Sequence, residues 1–480
     1  MAAGDMARLF HRLTSYEPGR EWDEAVDDPW LVDTFEPNDL AIVPPPVKEL
    51  PDGLPVVALP RELPEARQPA LAVLAGQEAG SAALDLAQLA RLLHLSAGVV
   101  RTRAWSGGTV LFRAAGSAGA RFPLEVYIVV PQGMPALPAG VHAYAPVEHA
   151  LVQVGPPPGG AAPALVVTGV PWRTGWRYRE RGYRHLFWDA GTLLAQQLAL
   201  AAGAGLRPRL YTEFPDLELR DLVGADGIDE LPVAAVALSD GPPGWPPAGR
   251  GVRGWVDAAP VRFPLVVAAH WAGLGLRWGE PWPTGEPLDG PLPDSPTTDE
   301  VIYRRSSARL LDPSRSVPRD VLVTALALAL RGIDLPHFVA VHAVDGMRAG
   351  LYRWPDLSQP VRAGNLRAEL RRVALGQALA GDAAFVAIGA ADLSSISDRR
   401  YRELQLAAGL VAGRLHLAAY ALGYGASGMT FLDSEIPRLL GESLAAMLFT
   451  CVGAPEVASR RGGRPGEPAA VRPVTPRLDD

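Results

Sequence analysis

Apolar residues recur along the chain with two periods, which predict both helices and strands. Between Asp85 and Gly98, leucines follow a helical spacing that predicts a helix starting at the aspartate and stopping at the glycine. A loop of small residues then leads into an apolar, β-branched run that predicts a strand ending at Val130. Another helix is expected to begin near Pro318.

Two parts of the chain repeat the same order of patterns, which is a sign of internal duplication. Each part has a short motif after a strand, a Tyr-Arg-Glu motif, a long helix rich in Ala and Leu, and a closing strand. The matched segments are 140–144 with 350–354, 178–180 with 401–403, 190–204 with 404–422, and 230–238 with 442–450. The sequence therefore predicts two copies of one α+β domain that form a pseudo-dimer within one chain.

Stretches rich in Pro and Gly divide the chain around these copies. Residues 1–68 predict a wrapping extension, because prolines mark extended chain there rather than a packed helix. The other predicted units are the first copy (69–240), a Pro/Gly/Trp-rich linker (241–298), the second copy (299–457) and an Arg/Pro-rich tail (458–480).

Composition and charge narrow the classes of protein. The 480 residues are 48% hydrophobic, which suffices for sizeable cores, and 45 basic against 52 acidic residues give a net charge of −7. Such a chain has no cationic surplus with which to hold nucleic acid or an anionic membrane. It also has no basic, apolar leader and no apolar run long enough to cross a bilayer, so a cytoplasmic protein is expected.

Several residues that attract attention are expected to be structural. Lys48 is the only lysine, and the single Cys451 excludes an intramolecular disulfide and lies in an apolar strand. The nine histidines show no paired ligand spacing, so no metal site is predicted. Residues 423–428 fit G-x-G-x-x-G, but they follow a helix and enter an extended segment, which argues against a dinucleotide fold.

The strongest chemical signal is Arg305-Ser306-Ser307-Ala308-Arg309, before the helix expected near Pro318. Two guanidinium groups and two hydroxyl groups at this spacing could converge on one phosphate, because guanidinium offers forked, permanently charged donors. The alternative is a solvated basic start to a helix, since charge runs usually face water.

Short motifs along the chain, taken together, resemble a known family. They are Phe10-His11, Arg113 with 116–119 and 122–125, 178–184, 307–309 with Asp312-Pro313, and 425–433. Their order is similar to that of a duplicated flavin-type nitroreductase fold, and most similar to the SagB/ThcOx-type azoline dehydrogenases. The resemblance covers roughly residues 8–465 and rests on the set, because no single motif is specific.

The resemblance implies that one FMN binds between the two copies. The phosphate would meet Arg305, Ser306, Ser307 and Arg309, closed by Arg460, Arg461 or Arg464 from the tail. Met429 and Thr430 would offer main-chain contacts to the flavin ring, and Arg113, Ser117 and Gly119 would approach from the first copy.

The two copies depart from the family pattern in complementary ways. Where the first copy should carry phosphate arginines, residues 74–80 have no cation and one carboxylate, Glu78. The second copy runs almost directly from 330–334 into the strand 338–341, so it lacks a counterpart of the 113–119 loop. We therefore expect a single FMN per chain.

Catalysis in the resembled family is associated with a Lys-Tyr pair, which corresponds here to Arg177-Tyr178. Because arginine stays protonated, Arg177 cannot be the base that removes a ring proton. Tyr178 is expected to transfer or position a proton, and the alternative is that it only packs in the core. Tyr401, the matched residue of the second copy, should lie at the lost site and so provides an internal control.

The resemblance implies an FMN-dependent dehydrogenase that oxidises thiazoline or oxazoline rings in a ribosomally made precursor peptide, in thiopeptide or similar azole-peptide maturation. Expected partners are that azoline-containing peptide and either a cyclodehydratase or a second copy of the chain. One alternative is a general NAD(P)H-dependent nitro- or quinone reductase that uses the same FMN. A second alternative is a flavin-free scaffold in a peptide-modifying complex.

Overall fold

A computed structural model gives the fold of the protein. It describes residues 3–18, 39–77, 79–105, 108–239, 243, 249–475 and 477.

The first half of the chain, with the segments that flank it, contains seven helices and nine strands among the described residues. They are α1 (Asp5–Leu13), β1 (Val56–Ala58), α2 (Ala70–Leu74), α3 (Leu86–Ala97), β2 (Val99–Trp105), β3 (Gly108–Arg113), β4 (Leu124–Val130), β5 (Gly140–Ala145), β6 (Ala150–Gly155), β7 (Ala164–Gly169), α4 (Pro171–Tyr178), α5 (Gly182–Gly203), β8 (Arg209–Tyr211), α6 (Asp216–Val223), β9 (Leu231–Ala237) and α7 (Pro264–Ala272).

The second half repeats this plan with fewer insertions. Its elements are α8 (Thr298–Arg304), α9 (Arg319–Leu330), β10 (His337–Val341), β11 (Gly350–Arg353), β12 (Arg362–Ala363), α10 (Arg367–Val373), α11 (Ala378–Asp382), β13 (Phe385–Ala391), α12 (Asp398–Ala421), β14 (Gly425–Met429), α13 (Ile436–Leu440), β15 (Ala445–Gly453) and β16 (Ala469–Ala470). Short 3₁₀ turns occupy Ala118–Ala120, Arg179–Arg181 and Asp433–Glu435.

The two main sheets have the same strand order, which confirms the predicted duplication. The first runs β6-β5-β4-β7-β9-β8, with β1 added at its edge, and the second runs β12-β11-β10-β13-β15-β14. Neighbouring strands in both sheets are antiparallel. The architecture is therefore a duplicated α+β fold.

The long helices α5 and α12 join the two halves by crossing at glycines. A Cβ atom at Gly191 would lie 2.3 Å from the backbone nitrogen of Leu410, and one at Gly409 would lie 2.4 Å from the carbonyl oxygen of Trp188. Only glycine permits backbones to approach this closely. The crossing creates two seams between the halves, one on each side of the helix pair.

Most predicted elements are present, with shifted ends. Asp85 caps α3 by accepting a hydrogen bond from the backbone of Gln88 at 2.7 Å, and α9 follows Pro318. The long helices begin earlier than predicted, at residues 182 and 398 rather than 190 and 404, because their first turns are buried between the halves. The polar residues of these first turns pair inside the protein. The helical spacing of apolar residues therefore does not reveal these turns.

The hairpin β2–β3 has no counterpart in the second half. It forms a third sheet with β16 from the tail, where Ala469–Ala470 pair in parallel with Arg101–Thr102. In the second half, α9 is followed by only residues 331–336 before β10. The expected absence of the 113–119 loop from this half is therefore confirmed.

The segment before the first copy contributes to both halves. Helix α1 packs against α7 and α12, and β1 pairs with β6. The Lys48 ammonium is 5% exposed and donates hydrogen bonds to Glu230 at 2.6 Å and to Tyr127 at 2.7 Å. Among the described residues, no helix combines the length and the apolar character needed to span a membrane.

Candidate functional site

A cavity of about 710 Å³ opens at one of the two seams. Both halves line it, because the first half contributes the loop before β4 and the facing sides of α4 and α5, and the second half contributes α12, β14 and the segment after α8. Lining residues that the sequence had suggested are Ser117, Gly119, Arg177, Tyr178, Ser307, Arg309, Met429 and Thr430.

The loop from the first half is held in place by a buried carboxylate. Asp189 on α5 accepts hydrogen bonds from the Ser117 hydroxyl at 2.5 Å and from the backbone nitrogen of Ala118 at 2.9 Å. Burial raises the pKa of Asp189 to about 7, although these two hydrogen bonds oppose the shift. A carboxyl group with this pKa can exchange a proton near neutral pH.

Gly119 brings this loop against the predicted catalytic pair. Its φ of 58° lies in the left-handed region, and a Cβ atom there would be 2.6 Å from Arg177 Cδ and 2.8 Å from Tyr178 Oη. A side chain would therefore displace either the loop or the pair.

Tyr178 lies at the end of α4 and stacks on His185, with ring centroids 3.9 Å apart and an interplanar angle of 7°. Burial raises the pKa of Tyr178, an effect that Arg177 opposes and Asp189 reinforces. The phenol is therefore protonated at neutral pH and can donate a hydrogen bond to a bound group. Burial, together with neighbouring arginines, also lowers the pKa of His185 well below its usual value, so this imidazole is neutral.

Two buried arginines, Arg305 and Arg101, have no acidic partner among the described residues. Arg305 is 4% exposed, and its Nε and Nη1 atoms have no hydrogen-bond partner. Its guanidinium lies beside Gly116, which lines the cavity: a Cβ atom at Gly116 would be 3.2 Å from Arg305 Nη1. Burial and the neighbouring Arg101 lower the pKa of Arg305 to about 10. Buried, unpaired cations at this position fit an anionic group such as a phosphate.

The residues predicted to form one phosphate clamp, 305–309, lie along an extended segment and do not converge. Residues 305–309 are extended rather than helical, and Ser307 pairs with Ala426 of β14. In an extended segment, residues four apart are about 13 Å from each other. Arg305 accordingly has Arg101 and Tyr420 as charged or titratable neighbours, whereas Arg309 has Tyr178, Arg103 and Arg177. The two arginines therefore serve different ends of the site.

The second half supplies the wall opposite the loop. The backbone of Ala308 donates a hydrogen bond to Ala426 at 2.9 Å, which fixes the 305–309 segment along β14. At the end of this strand, Arg181 of the first half reaches Thr430 Oγ1 at 3.2 Å and Asp433 at 2.6 Å. Arg184 binds the same carboxylate, also at 2.6 Å. This buried cluster holds the edge at Met429 and Thr430 in place.

Six predicted contacts lie outside the cavity lining: Arg305, described above, and Arg113, Ser306, Arg460, Arg461 and Arg464. Arg113 donates a hydrogen bond to the Pro46 carbonyl at 2.9 Å, and the Ser306 hydroxyl lies 3.3 Å from Tyr420 Oη. The tail arginines are exposed and lie on the side of the tail sheet: Arg461 pairs with Glu300 at 2.9 Å, Arg460 donates to Ala470, and Arg464 contributes its backbone to a turn. The tail acts on the site through Arg101, whose Nε donates to the Arg460 carbonyl at 2.7 Å.

Sequence reasoning did not identify Arg101, Asp189 or His185. Arg101 belongs to a hairpin whose tail partner is more than 350 residues away, so no local pattern marks it. Asp189 and His185 lie in the early turns of α5, before the stretch that was predicted as helix. An isolated carboxylate in an apolar helix was the one available signal.

The opposite seam is closed. The cavity there is about 10 Å³ and is lined by Phe187, Arg402 and their neighbours. Arg402 pairs with Asp216 at 3.3 Å and contacts His270 of α7. Where the first copy lacks phosphate arginines, Arg331 fills the space and donates hydrogen bonds to Leu74 and Gly285. Glu78, the carboxylate noted in the 74–80 segment of the first copy, lies outside the described residues.

Tyr401 does not occupy the position equivalent to Tyr178, so this expected correspondence is wrong. Tyr401 lies within the first turns of α12, whereas Tyr178 ends a separate helix before α5. Helix α1 covers Tyr401, with His11 Nδ1 3.2 Å from its hydroxyl. Tyr401 does not line the small cavity of the closed seam; its charged neighbours are Arg184, Asp433 and Arg181, the buried cluster at the end of β14.

Comparisons with known proteins agree on the fold. No protein-family model matches the chain. A provisionally named nitroreductase of Methanocaldococcus jannaschii is 26% identical over 158 residues, which are 30% of this chain and 76% of that protein.

A solved structure of another provisionally named nitroreductase, from Anabaena variabilis, covers 94% of this chain and 99% of its own, with a TM-score of 0.71 and 24% identity. A component of the E. coli microcin synthetase complex McbBCD covers 32% of this chain and 63% of its own at 22% identity, with a TM-score of 0.26, which is too low to support an inference. The chain thus has a duplicated nitroreductase-like fold, as predicted.

Proposed function

We propose that the protein is an FMN-dependent dehydrogenase that oxidises thiazoline or oxazoline rings in a ribosomally made precursor peptide. The observation that carries this proposal is the 710 Å³ cavity at one seam, which Tyr178 and Gly116 line, together with the buried, unpaired Arg305 that lies beside Gly116. A cavity of this size accommodates a ligand of cofactor size with room for a substrate group.

The residues present fit FMN. Arg305 and Arg101 would hold the phosphate, because both are buried without an acidic partner among the described residues and two guanidinium nitrogens of Arg305 have no hydrogen-bond partner. The backbone at Met429 and Thr430 and the loop at Ser117 and Gly119 would border the ring. Bound FMN would supply hydride-transfer chemistry.

A residue of the protein has to accept the proton that leaves the azoline ring. Conversion of an azoline to an azole removes one proton and one hydride from the ring. Asp189 is suited to accept that proton because its pKa is about 7 and it lines the cavity. Tyr178, held protonated by burial, would donate a hydrogen bond that orients the substrate ring, and Arg177 would keep the phenol in place.

A general NAD(P)H-dependent nitro- or quinone reductase is a second candidate, favoured by the sequence similarity to the Methanocaldococcus protein. It would use the same cavity. Turnover of NAD(P)H with small quinones, without any oxidation of azoline peptides, would favour it. Arg305 argues against a flavin-free scaffold, because a buried cation with no partner is costly unless a ligand pairs with it.

The direct test begins with the absorbance spectrum of the purified protein and the flavin released on denaturation. We expect one FMN per chain, because the second seam is filled, and a ratio near two would contradict the single-site arrangement. The protein would then be incubated with an azoline-bearing peptide, and mass spectrometry should show the loss of two hydrogens. Flavin-loaded protein that leaves every azoline peptide unchanged would refute the proposed reaction.

A further inference from the structure

We propose that His185 is a positioning residue for the reaction, because its imidazole ring holds the Tyr178 phenol in the orientation that meets the substrate. The inference rests on the proposed function and adds the residue through which Tyr178 is held. Both side chains line the cavity.

The rings of Tyr178 and His185 form a parallel stack. Their centroids are 3.9 Å apart and their planes differ by 7°. Tyr178 is the last residue of α4 and His185 lies in the first turn of α5, so the stack bridges the junction between two helices. Rings at this spacing are in van der Waals contact across a whole face, which fixes the plane of the phenol as well as its place.

The backbone around Tyr178 needs such support. The next residue, Arg179, has a φ of 47°, in the left-handed region, where a residue with a side chain is strained. Strained conformations of this kind persist only where surrounding contacts determine them. The His185 ring supplies one of these contacts, on the face of the phenol.

His185 is held in turn by Trp188, which also lines the cavity. Their ring centroids are 4.5 Å apart, with a tilt of 58° between the planes. The indole nitrogen of Trp188 donates a hydrogen bond at 2.7 Å to Oε1 of Gln405, a residue of α12 that is 1% exposed. The row of rings is therefore anchored in the second half of the chain, although Tyr178 belongs to the first.

The rival role for His185 is a direct hydrogen bond to a bound ligand. Neither ring nitrogen has a hydrogen-bond partner among the described residues, and burial with nearby arginines lowers the pKa of His185, so the ring is neutral. A phenyl ring can stack on Tyr178 in the same way, but it has no nitrogen. His185→Phe therefore separates the two roles.

The first test observes the stack itself in protein labelled with fluorotyrosine, without any substrate. Fluorine NMR reports the Tyr178 ring, and the spectrum of Tyr178→Phe identifies its signal. In His185→Ala this signal should move towards that of free fluorotyrosine, because the covering ring is lost, whereas in His185→Phe it should stay displaced. An unchanged signal in His185→Ala would overturn the inference.

The second test is a double-mutant cycle on azoline oxidation by the flavin-loaded protein. His185→Ala should lower kcat roughly five- to fiftyfold with little change in KM, because a misplaced catalytic group slows reaction steeply. His185→Leu, which keeps apolar volume without an aromatic face, should lose as much. His185→Phe should stay within about twofold of wild type. In the Tyr178→Phe background, His185→Ala should cause no further loss, since the phenol that it positions is gone.

His270→Ala is the matched control. His270 is also buried, but it lies at the closed seam and contacts Arg402. Its replacement should lower the free energy of unfolding and leave kcat of the folded, flavin-loaded protein unchanged.

Equal kcat losses from His185→Ala in the two backgrounds would overturn the inference, and so would a loss in His185→Phe as large as that in His185→Ala. Flavin-loaded wild type that oxidises no azoline peptide would instead refute the proposed function. The fluorine signals would still decide whether His185 holds Tyr178, so the two failures are distinguishable.

Discussion

The two seams of this protein lie on opposite sides of one helix pair, yet the cavity at one is about 710 Å³ and at the other about 10 Å³. At the open seam, polar groups such as Arg305 are buried without partners. At the closed seam, the corresponding space is occupied by groups that satisfy each other, such as Arg402 with Asp216. The unpaired groups therefore mark the seam that is built for a ligand.

The difference also shows what fusion of two copies permits. A symmetric dimer must keep both seams alike, because one sequence builds both. Here the second seam is filled by α7 over Arg402 and by Arg331 beside Gly76. The fused chain uses one seam for a site and the other for stability.

The largest expected effect is the loss of FMN binding when Arg305 is replaced, with Arg331 of the closed seam as the comparison. Arg305→Ala should weaken FMN binding about tenfold to a hundredfold, because a charge-assisted hydrogen bond contributes roughly 1.5 to 3 kcal/mol. The flavin-free variant should unfold at the same temperature as flavin-free wild type or higher, since a buried unpaired charge is removed. Titration with FMN and thermal unfolding measure the two effects.

Arg331→Ala provides the matched comparison at the closed seam. It removes hydrogen bonds to the carbonyls of Leu74 and Gly285, so stability should fall by about 1 to 3 kcal/mol while flavin per folded chain stays constant. Loss of flavin in this variant and not in Arg305→Ala would reverse the assignment of the seams.

A second comparison uses the two tyrosines. Tyr178→Phe should lower kcat for azoline oxidation roughly tenfold to a hundredfold with flavin still bound, because the donor that orients the substrate is lost. Tyr401→Phe should leave kcat unchanged and cost about 1 kcal/mol of stability through its contact with His11. Single-turnover rates and thermal unfolding separate the outcomes, and equal rate losses would contradict the role assigned to Tyr178.

The smallest expected effect is a pH dependence. The pKa of Asp189 is raised from 3.8 to about 7, so the folded state favours its protonated form. Its contribution to stability is complete below pH about 4 and is lost as the pH rises through about 7. The rate of azoline oxidation should rise over the same upper range, as the carboxylate becomes able to accept a proton.

Asp189→Asn should flatten this rate profile and raise stability relative to wild type above pH 7. A rate profile with an unchanged inflection near pH 7 in this variant would assign the titration to another group.

The sequence predicted the fold well, because local patterns of apolar and polar residues determine the duplicated order of strands and long helices. Asp85, Gly98 and Pro318 act on the backbone next to them, so their roles could be read directly. The starts of α5 and α12 were missed because their polar residues are satisfied by the other half of the chain.

The candidate site was harder to predict for the same physical reason. Neighbours in sequence, Arg305 and Arg309, suggested one clamp, but an extended backbone separates them. Arg101 joins Arg305 only because the tail strand β16 lies beside β2. Contacts between distant segments decide such arrangements, and spacing within a motif does not report them.

Lys48 has a practical consequence for anyone who handles this protein. Because the chain has no other lysine, and this one is enclosed between Glu230 and Tyr127, its surface offers no lysine amine to reagents. Ester dyes, amine crosslinkers and carbodiimide-activated sensor chips should therefore attach at the chain's α-amino group alone. Such attachment would give a uniformly oriented layer for measuring peptide capture at the seam.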